Sequence, residues 1–117
     1  MARQTLTKSV APGGYDVLGA ALTYTAADAS NKEQFVSTGK ELVIARNSNA
    51  GSTARTVTIN SVANAKHRTG NVNAVSIAAG ASRIFGPFPK NGWVQSNGMI
   101  YMEASNAEVL WAVVVLP

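Results

Sequence analysis

Residues 108–117 read Glu-Val-Leu-Trp-Ala-Val-Val-Val-Leu-Pro. Apolar residues stand at consecutive positions, so a strand formed here would be hydrophobic on both of its faces. Left exposed, such a strand would be an edge prone to aggregation. We therefore expect it to be covered by strands of its own sheet, which is the favoured placement, or by another protein.

An earlier part of the chain shows the one-sided pattern of an ordinary strand pair. Residues 41–46 and 54–60 flank a polar loop, and in the second segment Val57 and Ile59 alternate with threonines. This alternation gives one buried and one solvated face. We predict that the two segments form a β-hairpin.

Short strand-like segments separated by Gly, Pro and Asn turns fill the rest of the chain, and no segment has the periodicity of a helix. Further strands are predicted at residues 21–26, 34–37, 74–78, 82–85, 92–95 and 99–103. Roughly eight to ten short strands at this spacing predict an all-β fold, specifically an antiparallel β-sandwich that is jelly-roll-like.

The N-terminal segment differs from the other strand-like segments. Residues 1–11 have the Thr and Val content of a strand but little apolar area, and a Pro-Gly-Gly break follows. We predict an extended N-terminal arm at residues 1–11 and a single domain at residues 12–117. The alternative is that the segment is the first strand of the domain's own sandwich.

The composition is typical of a protein that works in an assembly. Of 117 residues, 46% are hydrophobic and only 14% are charged, which leaves little charge to solvate every surface of a monomer. The absence of cysteine excludes disulfides and thiolate sites. The chain begins without a basic and apolar leader, and its longest apolar run is too short to cross a membrane as a helix. We expect synthesis in a cytoplasm and no membrane association.

Positive charge is concentrated in the middle of the chain. Residues 40–90 hold seven of the ten Lys and Arg residues and only one of the six acids. Nucleic-acid binders interleave such cations with exposed aromatics, whereas the aromatics here mostly occupy strand-like apolar positions. The pattern therefore favours solvated strand edges, or contact with an acidic neighbouring subunit, over nucleic-acid binding.

No residue pattern indicates an enzyme. The one histidine, His67, stands between Lys66 and Arg68, whose charges would lower its basicity and repel a metal ion. The six acids include no evident catalytic pair, and residues 28–33 lack the alternating acids of a calcium loop, so an Asx turn is expected there. We predict no catalytic residue, no metal and no cofactor.

The aromatic residues leave a binding function open. Trp93 and Trp111, together with Tyr15, Tyr24 and Tyr101, could furnish a platform for sugars, as in a lectin-like jelly roll. Their alternation with Val and Ile favours core packing for most of them. Glycan binding is therefore kept as an alternative.

Segments spread over nearly the whole chain carry a family resemblance. They are residues 5–8, 11–14, 22–28, 34–36, 39–47, 56–59, 85–89 and 113–117. Together they resemble small proteins of tailed bacteriophages that are encoded in the virion structural region, near the major capsid protein. The matching motifs are turns and strands, and none is catalytic.

The resemblance implies a head decoration (cement) protein, a non-enzymatic component of the virion on the capsid exterior. Its partners would be the major capsid protein and neighbouring copies of itself. A head–tail connector or tail protein, and a glycan-binding virion surface protein, are the alternatives. For such a role we expect the arm and the basic loop to contact the capsid, and the candidate residues are Arg3, Leu6, Lys8, Val10, Lys66, His67 and Arg68.

Overall fold

The computed structural model describes residues 3–10, 22–62 and 72–116, and in these ranges the chain forms ten strands and no helix. The strands are β1 (Gln4–Thr5), β2 (Lys8–Val10), β3 (Thr25–Ala26), β4 (Glu33–Val36), β5 (Glu41–Asn47), β6 (Arg55–Ile59), β7 (Val72–Ile77), β8 (Ser82–Phe85), β9 (Met99–Ala104) and β10 (Val109–Val115). The predicted all-β class is confirmed. The strand expected at residues 92–95 is not formed, because residues 92 and 93 lie in a turn and residues 94 and 95 are irregular.

The strands form two mixed sheets. Sheet A has the order β1-β4-β9-β6-β7, and sheet B has the order β2-β10-β5-β8, with β3 also beside β10. Most pairs are antiparallel, but β1 runs parallel to β4 and β2 runs parallel to β10. The expectation of purely antiparallel pairing is therefore wrong at both N-terminal strands. Residues 3–10 form β1 in sheet A and β2 in sheet B, and each of these strands runs in the same direction as its neighbour, β4 or β10.

The terminal strand β10 lies inside its own sheet. On one side it pairs with β5 along its full length, from Val109 opposite Asn47 to Val115 opposite Glu41. On the other side it pairs first with β3 and then with β2. The favoured placement of this strand is confirmed, and its backbone groups are satisfied by neighbours on both sides.

The predicted hairpin between β5 and β6 is wrong. Both strands exist, but β5 pairs with β10 and β8 in sheet B, whereas β6 pairs with β7 and β9 in sheet A. The loop between them crosses from one sheet to the other. Asn47, which is buried, holds this crossing, because its side-chain amide donates to the backbone oxygens of Thr53 and Ile77, both at 2.9 Å.

Side chains from both sheets fill one core. Sheet A contributes Phe35, Ile59 and Ile100, and sheet B contributes Val43 and Trp111, all of them almost completely buried. Every second residue of β5 and β9 is buried, as the two-residue period of a strand requires. Burial of these side chains supplies the main stabilising free energy of the fold.

Residues 3–10 lie within this body, which differs from the arm that we expected at residues 1–11. The N–H groups of Gln4 and Leu6 donate to backbone oxygens of Lys32 and Gln34 at 2.9 Å. The Leu6 side chain is only 5% exposed and belongs to the core. The alternative interpretation, a strand segment of the domain's own sheets, describes residues 3–10. The boundary predicted after residue 11 lies outside the described residues.

Replacing Leu6 with alanine should therefore lower the free energy of unfolding. Removal of a buried leucine side chain costs about 2–5 kcal/mol, and we expect the lower half of this range because a short N-terminal strand can partly close the cavity. Urea unfolding measures the change. The exposed neighbour Thr7 provides the control, Thr7→Ala, and equal effects of the two substitutions would contradict the placement of Leu6 in the core.

Candidate partner-binding surface

The outward face of sheet A is mainly polar, with an apolar pair formed by Val36 and Met99 at one end. Cross-strand pairing places Gln34 beside Tyr101, and Thr58 beside Glu103, on the side of the sheet opposite the core. Glu103 forms an ion pair of 2.8 Å with Lys32. This surface has the composition of an ordinary solvated sheet face.

The outward face of sheet B is mainly apolar, with the exposed residues Arg46 and Ser82 at one end. Pairing places Leu42 beside Val114, and it aligns Ile44 with Ala112 on one side and Ile84 on the other. We call this surface the apolar face, and its residues are Leu42, Ile44, Ile84, Leu110, Ala112 and Val114.

Exposure varies across the apolar face. Ile84 is 66% exposed, and Leu42, Ile44, Leu110 and Val114 are half-buried. Ala112 is buried but lies outside the core cluster. Neighbouring apolar side chains that remain partly in water on one sheet face are typical of a surface that binds another molecule.

Arg3, expected to contact a partner, is engaged within the chain. Its Nη1 donates to the backbone oxygens of Glu33 at 3.0 Å and Met102 at 3.2 Å. The guanidinium also lies 4.1 Å from the centre of the Tyr101 ring, a cation–π contact. Arg3, which directly precedes β1, therefore connects this part of the chain to strands β4 and β9.

Lys8 is likewise engaged within the chain. Its Nζ donates to the backbone oxygen of Val36 at 3.0 Å and to Oε2 of Glu41 at 3.3 Å. This links β2 to the start of β5. Arg3 and Lys8 thus help to position the first two strands within the chain.

The remaining candidates divide into three groups. Leu6 is in the core, whereas Val10 is 66% exposed and remains available for a contact. The basic loop residues Lys66, His67 and Arg68 lie outside the described residues. Of the described candidates, Val10 alone combines an apolar side chain with high exposure.

The carboxylate of Glu41 is buried and fully hydrogen-bonded. Oε2 accepts from the Thr38 hydroxyl at 2.6 Å, and Oε1 accepts from the Thr38 N–H at 2.9 Å. Burial acts to raise the pKa of Glu41, but the hydrogen bonds from Thr38 and Lys8 outweigh it and hold the pKa below its usual value. The charged form of Glu41 therefore stabilises the contact between β2 and β5.

This arrangement predicts the pH dependence of stability. Because the pKa of Glu41 is lowered in the fold, its contribution is complete above the ordinary glutamate value of 4.5 and is lost as the pH falls through its folded pKa. Lys8→Met should raise that pKa and make the loss of unfolding free energy below pH 4.5 shallower. Denaturant unfolding from pH 7 to pH 2 measures the curve.

The control for this measurement is Lys40→Met, which removes an exposed lysine of equal charge. Below pH 4.5, the unfolding free energy of this variant should change with pH as it does in the native protein. If Lys8→Met and Lys40→Met give the same curve, the contact between Lys8 and Glu41 does not stabilise the fold.

Other possible sites are not assembled in the described part of the chain. No three His, Asp or Glu side chains come together there, and the described residues include no helix that could cross a membrane. Asp28 accepts hydrogen bonds from the N–H groups of Ser30 and Asn31, which confirms the predicted Asx turn. Hydrogen bonds from Asn31 lower the pKa of Asp28.

The aromatic residues considered for glycan binding are dispersed. Trp111 is buried, and Trp93 is half-buried with its ring edge-on to Phe88 at 4.7 Å. One face of the Tyr101 ring is occupied by Arg3. Tyr24 is 38% exposed, and Tyr15 lies outside the described residues. Trp93, Trp111 and Tyr101 do not form a shared platform.

Sequence reasoning missed the apolar face, although a signal for it was present. Leu42 and Ile44 alternate with the core residues Val43 and Ala45, so β5 is apolar on both faces, as β10 is. Two adjacent strands of this kind leave one hydrophobic face outside the core. Only the pairing of β5 with β10 shows that these outward residues meet.

Comparison with known proteins found that no family model, no curated protein and no solved structure matches this chain.

Proposed function

We propose that this chain is a non-enzymatic bacteriophage capsid decoration protein that binds the assembled head lattice and stabilises it by bridging capsomers. The observation that carries the proposal is the contrast between the two sheets, because the outward face of sheet A is mainly polar, whereas that of sheet B is mainly apolar. Such asymmetry suits a protein that rests on a larger surface with one side and faces solvent with the other. The resemblance to small virion proteins supports the same role.

We further propose that the two sheets are the layers of a jelly-roll-like sandwich. Their joint core is consistent with this arrangement. In this proposal the apolar face of sheet B is the capsid-facing layer, and the outward face of sheet A is the solvent-facing layer.

The function needs no reaction chemistry. A protein that binds the expanded lattice and not its earlier or dissociated states stabilises the expanded lattice by mass action. At a free concentration of about 100 times Kd, each bound copy contributes about 2.7 kcal/mol. Repetition over many symmetry-related positions makes modest contacts sufficient. The major capsid protein is the proposed partner, and neighbouring copies of this chain would add lateral contacts.

Co-sedimentation with expanded capsids that lack this protein tests the proposal. We expect saturable binding at many copies per capsid, weaker binding to unexpanded capsids, and a higher temperature of capsid disruption after binding. If the protein instead forms a ring that binds at only one capsid vertex, the result would favour a head–tail connector over a decoration protein. No binding to either form of the capsid would overturn the proposal.

A further inference from the structure

The outer edge of β8 exposes backbone hydrogen-bonding groups. The N–H of Asn47 donates to the Ala81 oxygen at 3.0 Å, and the N–H of Phe88 donates to the Glu41 oxygen at 3.3 Å. Odd-numbered residues of β5 therefore direct their backbone groups towards β8. Opposed residues in an antiparallel pair alternate between hydrogen-bonded and non-hydrogen-bonded positions. Ser82 and Ile84, which lie opposite even-numbered residues of β5, therefore direct their N–H and C=O groups away from β5.

No described strand lies beyond that edge, because β8 is the last strand in the order of sheet B. An edge of this kind is a template for an added strand. Ile84, at the centre of the edge, is 66% exposed and lies on the outward face next to Ile44. The edge therefore offers both main-chain hydrogen bonds and an apolar contact.

The exposed and unpaired charge around this edge is positive in the described residues. Within the described residues, four exposed cations make no ion pair, whereas Lys8, Lys32 and Arg55 are each paired with a glutamate. The four unpaired cations are Lys40, Arg46, Arg83 and Lys90.

All four unpaired cations flank the pair formed by β5 and β8. Arg46 and Arg83 lie at the end where β8 begins, since Arg46 is opposite Ser82. At the other end, Lys40 directly precedes β5, and the Lys90 Cγ lies 3.7 Å from where a Cβ added to Gly39 would be. An incoming strand would thus meet positive charge at both of its ends.

We propose that the outer edge of β8 accepts an extended acidic segment of another protein as an added strand. Main-chain hydrogen bonds to Ser82 and Ile84 would fix the segment, an apolar side chain would cover Ile84, and carboxylates would face the flanking cations. The inference goes beyond capsid decoration and does not depend on it, because it concerns the chemistry of the bound segment.

Two other occupants fit these features less well. A second copy joined edge to edge would bring its positively charged edge against the positively charged edge of the first copy, and the cations would repel. A nucleic acid would satisfy the cations, but it has no strand-like backbone for Ser82 and Ile84, and no aromatic residue lies on β8 at the exposed position. Charge and backbone geometry together favour an acidic protein strand.

Amide chemical shifts of the full chain provide the test, with short capped peptides as probes. The first probe alternates Glu with Val, the second alternates Lys with Val, and the third is the acidic peptide with N-methyl groups on alternate amides. We expect the acidic peptide to shift the amides of residues 82–85 in a saturable way, with Kd of about 1 mM or lower. The other two peptides should bind at least about tenfold more weakly.

Two variants locate the interaction. Arg83→Glu should weaken binding of the acidic peptide about tenfold, whereas Ser76→Glu, which adds the same charge on β7, should leave it unchanged. Ile84→Pro removes one outward N–H at a position where an edge strand tolerates proline, and it should abolish saturable shifts in residues 82–85. The N-methylated peptide makes the same backbone test without altering the protein.

Three results would each overturn the inference. One is an absence of saturable shifts in residues 82–85 with the acidic peptide. Another is equal binding of the acidic and basic peptides, or tighter binding of a single-stranded oligonucleotide at the same edge. The last is a concentration-dependent shift of residues 82–85 without any peptide, which would assign the edge to a second copy.

Discussion

Replacing Trp111 with alanine should lower the free energy of unfolding by about 3–5 kcal/mol, a large part of the stability of a domain of this size. The indole is 1% exposed and lies at the centre of β10, among core residues of both sheets. Its Nε1–H donates to Oε1 of Glu33 at 2.8 Å. The substitution therefore removes core volume and a buried hydrogen bond together.

The hydrogen bond can be separated from the lost volume. Glu33 is buried, and burial raises its pKa, against the hydrogen bonds from the Asp28 backbone and the Trp111 indole. Trp111→Phe keeps an aromatic ring but removes the donor, which leaves a buried acceptor short of a partner at a cost of about 1–3 kcal/mol. A double-mutant cycle with Glu33→Gln isolates the coupling between the two side chains.

The control is Trp93→Ala, because Trp93 is half-buried and packs edge-on against Phe88. Urea unfolding of the variants should rank Trp111→Ala as clearly more destabilising than Trp93→Ala. If the two variants unfold at the same urea concentration and with the same slope, Trp111 does not have the central place in the core that we describe.

Replacing Ile44 with glutamate should weaken binding to expanded capsids about 30-fold or more, since residues at the centre of an interface contribute about 2 kcal/mol or more. Ile44 lies in the middle of the apolar face, between Ala112 and Ile84. A carboxylate there would be buried against the capsid without a partner, which adds to the loss of apolar contact. The fold should survive, because Ile44 points away from the core.

Val36→Glu is the matched control for this binding experiment. Val36 is also an apolar strand residue and is 47% exposed, but it belongs to β4 in sheet A. Thermal unfolding of both variants checks that each is folded before co-sedimentation is measured. Equal loss of capsid binding in Ile44→Glu and Val36→Glu, or no loss in either, would contradict a capsid contact through the apolar face.

Much of the strand content could be predicted from the sequence, because alternation and turn residues are local properties. β8 has the predicted bounds, and the continuous apolar run of β10 predicted its position between partners. Which strands pair with each other was harder to predict. β5 and β6 are neighbours in sequence with compatible patterns, yet Asn47 directs the chain into the other sheet through buried amide contacts that no pattern reveals.

The candidate contact residues illustrate a second limit. A cation near a chain terminus suggests an external partner, but Arg3 and Lys8 find backbone oxygens of Glu33 and Val36 inside the same chain. Because almost every residue has a backbone oxygen that can accept a hydrogen bond, the sequence does not show which of these oxygens a cation will contact. The apolar face could in principle have been predicted, because a strand that is apolar on both faces must pack against the core on one face and against something else on the other.

Oxidative labelling of side chains in the capsid-bound protein reports which face becomes covered. We expect Ile84, Leu42 and Leu110 to lose reactivity with hydroxyl radicals when the chain binds expanded capsids, whereas Val36 and Tyr101 on sheet A should keep theirs. Protection of Val36 and Tyr101 with undiminished labelling of Ile84 would show that the apolar face does not contact the capsid.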